Sequence, residues 1–242
     1  MAGHSKWKNI QHRKGRQDAA RAQKFTKISK EIYAAAKNGG GNPETNPQLK
    51  IAIQKARAIS MPQENIERTI KKALGEIGGA HYESILYEGY GPGGVAYIIE
   101  ALTDNRNRTA ARVRHLFQKY GGSLGESGSA NYIFEPKAVF VIEGGSGVIE
   151  EEALLNLLIA YGGEEMEQTE DETIVYAAQA SYMPLLQALQ DAGYTISRHE
   201  LVQLPKVFVP VSGEVLEQNE ALYAAFEEED DVQEVYTNFE PA

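Results

Sequence analysis

Between Ala138 and Gln203 the apolar residues switch between alternation and helical spacing in one order: strand, helix, strand, strand, helix, strand. AVFVIE, EEMEQT, ETIVYA and YTISRHELV read as the strands, and EEALLNLLIAY and MPLLQALQDAG as the helices. This is the β-α-β-β-α-β order of a ferredoxin-like unit. It constrains the fold more than any other stretch, because four strands must share one sheet with both helices packed on it.

The flanks read differently. YESILYEGY and VAYIIEALT are strands around the turn GPGG, and TDNRNRTAARVRHLFQKYGG is a helix with Ala110, Val113, Leu116, Phe117 and Tyr120 inward and Gly121 as its C-terminal cap. ANYIFE returns to strand. After LPKVFVPVSG, a helix over 213–228 and the strand VQEVYTNF have no partners of their own and are expected to complete the 80–135 sheet. Residues 136–204 are then an insertion in a discontinuous domain of 80–135 plus 205–242. Ahead of Gly78 and Gly79 three helices are expected. The first runs from Asp18 with Phe25, Ile28, Ile32 and Ala36 on one face, and NGGGNPETNP stops it. Pro47 opens the second, with Leu49, Ala52, Ile53, Ala56 and Ile59 inward. Ser60 and Gln63, at capping-box spacing, open the third, with Ile66, Ile70, Ala73 and Leu74 apolar. The predicted class is α+β: a three-helix domain over 1–79, with an arm at 1–16, followed by two α/β sandwich, ferredoxin-like domains, the last inserted in the middle one.

Charge is sharply divided. Residues 1–30 hold nine Lys or Arg against Asp18 alone, in a chain of net charge −10. Residues 1–75 carry 16 basic and 5 acidic side chains, and residues 76–242 carry 8 and 29. Such asymmetry points to a polyanion met by one end, while the acidic remainder repels phosphate and orients the protein. The absence of cysteine removes disulfides, thiol catalysis and Cys-based zinc sites. The longest purely apolar run, AVFVI, is too short to span a membrane, and no apolar stretch follows the first charges as in a secretory signal. A cytoplasmic location is expected.

Lys6, Trp7 and Lys8, followed by His12, Arg13, Lys14 and Arg16, interleave an aromatic ring with cations. That pattern offers a stacking surface for an unpaired base and charge for its backbone. Arg21, Lys24 and Lys27 continue it along the first helix. The competing account is a solvated basic helix whose Trp7 plugs the helical domain; clustering and net charge favour nucleic acid. A secondary basic patch comprises Arg106, Arg108, Arg112 and Arg114, with Arg108 and Arg112 one helical turn apart near a helix N-terminus that suits phosphate. Pairing of these arginines with acids of the same half fits equally well.

Other chemistry finds little support. GYGPGG (89–94) satisfies G-x-G-x-x-G, but VAYIIE behind it reads as strand, so a hairpin turn is expected and not a dinucleotide site. His4, His12, His81, His115 and His199 lack metal-ligand spacing. Glu150, Glu151 and Glu152, and the run EEEDD (227–231), read as solvated surface, and GESGS lacks the spacing of a nucleophile elbow. No catalytic residue, metal, cofactor or small-molecule substrate is expected.

MAGHSKW, HRKGRQDAARAQKFTK, NPQLKIAIQKAR, MPQENIERTIKKA, YEGYGPGGVAYIIEALTDNRNRTAARVRHLF and GGSLGESGSANYIF together resemble the YebC/PmpR family, whose mitochondrial relatives activate translation of a cytochrome oxidase subunit. These blocks cover the first 135 residues densely. The resemblance implies a three-domain cytoplasmic protein without enzymatic activity. Its bacterial members are described as DNA-binding transcriptional regulators; a different picture makes them translation factors that relieve stalling at the ribosome. Carried over, Lys6, Trp7, Lys8, His12, Arg13, Lys14 and Arg16 belong to an arm that contacts RNA or DNA. A duplex reader presents a recognition helix and often dimer symmetry. No helix-turn-helix signature is visible, and a basic arm with one tryptophan suits irregular RNA. RNA at the ribosome is therefore the expected partner, a DNA-binding transcriptional regulator the alternative, and no membrane contact is expected.

Overall fold

The computed structural model describes residues 21–79, 81–145 and 147–242, with side chains from Gln23 onward. The chain forms α1 (Arg21–Gly39), α2 (Pro47–Ala58) and α3 (Gln63–Ala73), then β1 (Glu83–Tyr90), β2 (Ala96–Thr103), α4 (Arg106–Lys119) and β3 (Ser123–Leu124). It continues through β4 (Phe134–Glu143), α5 (Glu151–Tyr161), β5 (Gly163–Gln168), β6 (Glu172–Ala178), α6 (Tyr182–Asp191) and β7 (Ile196–Pro205). It ends with β8 (Val209–Val211), α7 (Gly213–Glu227), β9 (Val232–Thr237) and β10 (Phe239–Pro241). The described residues divide into two compact units, 133–206, and 21–132 together with 207–242.

The three helices form as their apolar spacing demands. Ile32 and Ala36 of α1 pack with Leu49, Ala52, Ile53 and Ala56 of α2 and Ile66 of α3. Asn46 caps α2 through its side-chain oxygen, which accepts from the Leu49 amide at 3.1 Å, and its amide nitrogen donates to the Ala35 and Gly40 carbonyls at the end of α1. The capping box expected at Ser60 is absent. Ser60 has φ 58 and donates its backbone N–H to Arg57 at 2.9 Å, so it closes α2. Pro62 precedes α3 with no side-chain cap. The start of α1 at Asp18 lies outside the described residues.

In the larger unit the sheet runs β3-β1-β2-β9, with β8 and β10 as a separate parallel pair. The β1–β2 hairpin turns through Pro92–Gly94, where Gly93 and Gly94 both sit at φ 75, a conformation that a side chain disfavours. GYGPGG is therefore a turn between strands. Tyr97, Phe117 and Phe226 pack edge to face between the sheet, α4 and α7, with Phe117 and Phe226 centred 5.0 Å apart. Asn219, fully buried on α7, donates to Pro92 O at 3.0 Å and accepts from the Tyr97 hydroxyl, tying helix to hairpin.

Residues 133–206 adopt the order β5-β6-β4-β7, all antiparallel, which is the ferredoxin-like arrangement. The order and connections of the other sheet are different, so only this unit has that arrangement. Phe140 lies opposite Val175 and His199 across the ladders. Tyr182 of α6 stacks on the Phe140 ring at 5.6 Å, and its hydroxyl lies 2.6 Å from His199 Nδ1. Burial, then the nearby Glu200, pushes that hydroxyl up to about 12.

ANYIFE is not wholly strand. Asn131–Ile133 is a 3-10 turn, and β4 begins at Phe134 and runs on into AVFVIE. The cause is Glu88, a buried carboxylate of β1 that accepts from the amides of Gly128, Ala130 and Asn131 at 2.8, 2.7 and 2.7 Å. Burial alone would raise this carboxyl; the three donors overrule it and hold it below the ordinary carboxylate range. Glu88→Gln sets an amide among amide donors and is expected to cost about 2 kcal/mol. Urea denaturation measures it, and a loss under about 0.5 kcal/mol would show that the loop does not depend on the charge.

Candidate nucleic-acid interface

Helix α1 has two engaged faces of opposite character. Its apolar face packs on α2 and α3. Gln23, Lys27, Lys30 and Lys37, at i, i+4, i+7 and i+14, line another face and meet the sheet-bearing part of the same unit. Gln23 donates to Glu228 O at 2.7 Å, Lys27 to Glu227 O at 2.7 Å and Lys30 to Asp230 O at 2.8 Å. Lys37 donates to Tyr82 O at 3.3 Å. The carbonyls of Glu227 and Glu228 end α7, where helical carbonyls lack partners and the helix dipole favours cations. Burial lowers the Lys27 ammonium below its ordinary range, against the pull of Glu227, Glu234 and Asp230.

Asp231 is the hub joining α1 to the sheet. Its carboxylate accepts from Lys30 Nζ at 2.7 Å, Arg108 Nη2 at 2.8 Å, and the hydroxyls of Thr109 at 2.8 Å and Thr103 at 3.2 Å. The Lys30 side chain is 6% exposed and that of Asp231 15%. Burial alone would raise the Asp231 carboxyl; hydrogen bonds from Lys30, Arg108 and Thr109 overrule it and bring it to about 2. Arg108 also binds Asp104 at 2.9 Å, and Arg112 pairs with Glu229 at 3.2 Å. A cleft opens beside the network, lined by Lys30, Arg108 and Arg112 but also by Asp104 and the four acids from Glu228 to Asp231. Five carboxylates against three cations make it repel phosphate, so the network fastens α1 to the sheet.

Of the residues expected from sequence to contact nucleic acid, the described ones do not form one surface. Lys6, Trp7, Lys8, His12, Arg13, Lys14, Arg16 and the side chain of Arg21 lie outside the described residues. Lys24 is exposed, whereas Lys27 is turned onto α7. Arg106 and Arg114 are exposed, and Arg108 and Arg112 are taken up by acids. The run EEEDD is not uniformly solvated surface, because Asp231 is mostly buried and carries the hub. A visible signal did exist: the acids directly follow a helix, and cations recur on one face of α1. Among the described residues no three His, Asp or Glu gather as metal ligands, and no helix is long and apolar enough to cross a membrane.

Comparison with known proteins matches residues 5–76 to the TACO1/YebC protein N-terminal domain and residues 82–239 to the TACO1/YebC second and third domain. A "Probable transcriptional regulatory protein" of Geobacillus thermodenitrificans is 50% identical over 240 residues, covering 99% of this chain and 97% of that one. One of the same description from Carboxydothermus hydrogenoformans is 50% identical over 242 residues, covering 99% of each. The crystal structure of a conserved hypothetical protein from Aquifex aeolicus superposes with a TM-score of 0.80 at 41% identity, covering 93% of this chain and 92% of that one.

Proposed function

Because this chain belongs to the TACO1/YebC family, we propose that it is a non-enzymatic, nucleic-acid-binding regulator of gene expression that acts in the cytoplasm by binding RNA at the ribosome. The observation that carries this reading is the division of charge, with 16 basic and 5 acidic side chains in residues 1–75 against 8 and 29 in the remainder. Polyanion binding through Lys or Arg is driven by counterion release, and an acidic remainder confines it to one end. The inward engagement of Lys27 and Lys30 moves the expected binding surface toward the arm, Lys6 to Arg16, and leaves Lys24 as an exposed cation of α1. An aromatic among cations suits unpaired bases, which ribosomal RNA offers and duplex DNA does not.

The relatives described as probable transcriptional regulatory proteins favour a second reading, a DNA-binding regulator using the same charges. The two readings separate by partner. Sucrose-gradient centrifugation of the chain with ribosomes is expected to show co-sedimentation that fades as salt rises. Retention of a promoter duplex over scrambled competitor, with no ribosome co-sedimentation, would instead select the DNA reading.

A further inference from the structure

Helix α5 is apolar nearly all round. Leu154 and Leu158 face the sheet and are 0% and 3% exposed, while Leu155 and Ile159, one turn apart on the outer side, are 39% and 78% exposed. A helix of this kind is normally covered on both sides. Met183 of α6 and Val148, just ahead of α5, are also exposed apolar residues of this unit. The stretch of sequence that carries them has charge of one sign. From Ala138 to Ser197, sixty consecutive residues, there are eleven Asp or Glu and no Lys, Arg or His. Glu151 and Glu152 stand in the first turn of α5 itself.

From this combination we infer that the outer face of α5 is a docking surface for a cationic amphipathic helix of a protein partner. Leu155 and Ile159 supply the apolar anchor, and the acidic surround supplies the field that steers a basic partner and excludes others. Phosphate-bearing partners are disfavoured because Glu150, Glu151 and Glu152 stand at the start of α5 and the sequence from Ala138 to Ser197 holds no cation. A second copy is disfavoured because two such faces would bring like charges together. The inference is independent of the arm and of the choice between RNA and DNA.

The test uses the full chain and a fluorescent 18-residue amphipathic helix of Leu and Lys as probe, followed by anisotropy. Leu155→Ala with Ile159→Ala removes the anchor, leaves the charge unchanged and keeps helix propensity high. The double variant, with an unaltered thermal melt, is expected to bind the probe at least about tenfold more weakly. A Lys and Ala helix of the same net charge should bind wild type and variant alike. Equal affinity of both chains for the Leu and Lys probe would overturn the proposal. So would self-association of the wild type that the double variant abolishes, or a parallel loss of affinity for a 20-nucleotide single-stranded RNA. Should the double variant melt early, Ile159→Ser alone, at the more exposed position, is held to the same comparison.

Discussion

Asp231→Ala is expected to destabilise the unit that contains the helices and the larger sheet by about 3 kcal/mol. The substitution leaves the Lys30 ammonium, on a side chain only 6% exposed, with the Asp230 carbonyl to accept from it. It also frees Arg108 and Thr109, but Arg108 keeps Asp104 and is half exposed, so its share of the cost is small. The burden therefore falls on Lys30, and the double variant Lys30→Met, Asp231→Ala should recover much of the loss, because the unpaired charge is gone. Urea denaturation of the four chains of that cycle measures both numbers. A single-variant loss below about 1 kcal/mol would mean that water replaces Asp231 without penalty.

The same carboxylate predicts an acid limb. Its value of about 2 in the folded chain lies below the ordinary 3.8, so folding favours its charged form. Its contribution is complete above about pH 4 and is lost as pH falls through 2, amounting to about 1–2 kcal/mol after allowing for screening from the adjoining cleft. Asp231→Ala should accordingly flatten the decline of stability between pH 5 and pH 2, and an unchanged acid limb would assign that decline to other carboxylates.

Local patterns in the chain carried most of the architecture, and long-range pairing carried the rest. The β-α-β-β-α-β order over β4 to β7 and the apolar stripes of α1, α2 and α3 were legible because each element is long enough to show its period. Strands β3, β8 and β10, of two or three residues, have no period to show. Ser60 misled because a serine three residues before a glutamine satisfies a local rule, while its left-handed backbone serves the exit of the preceding helix. The role of the α1 cations was hidden for a different reason. Lys27 and Lys30 find their partners, a backbone carbonyl and a carboxylate, 200 and 201 residues away, and the shared face of the cations does not say which groups will meet them. For Arg108 and Arg112 the sequence left phosphate binding and internal pairing level, and the observed ion pairs with Asp231, Asp104 and Glu229 favour the second. The exposed Leu155 and Ile159 lay in plain view within EEALLNLLIAY, but a wholly apolar helix reads as core until its outer face is seen bare.

Replacing Lys6, Lys8, Arg13, Lys14 and Arg16 with Ala should have the largest effect of all on nucleic-acid binding. Every phosphate that a cation no longer neutralises lowers the slope of log affinity against log salt by about 0.7 on a single strand. Five such phosphates take about 3.5 from the slope, which near 0.1 M salt weakens RNA binding by roughly three orders of magnitude. Trp7→Ala behaves differently, costing about 1–3 kcal/mol if a base stacks on the ring while leaving the slope where it was. Lys27→Ala is the informative control: its ammonium is bound to Glu227 O, so it should lower stability and leave the slope unchanged. A five-fold variant that stays folded and keeps the wild-type slope would place polyanion binding elsewhere on the basic third of the chain. A Lys27→Ala chain that loses slope would mean that α1 leaves α7 when nucleic acid binds, since that ammonium reaches phosphate only by giving up its carbonyl partner.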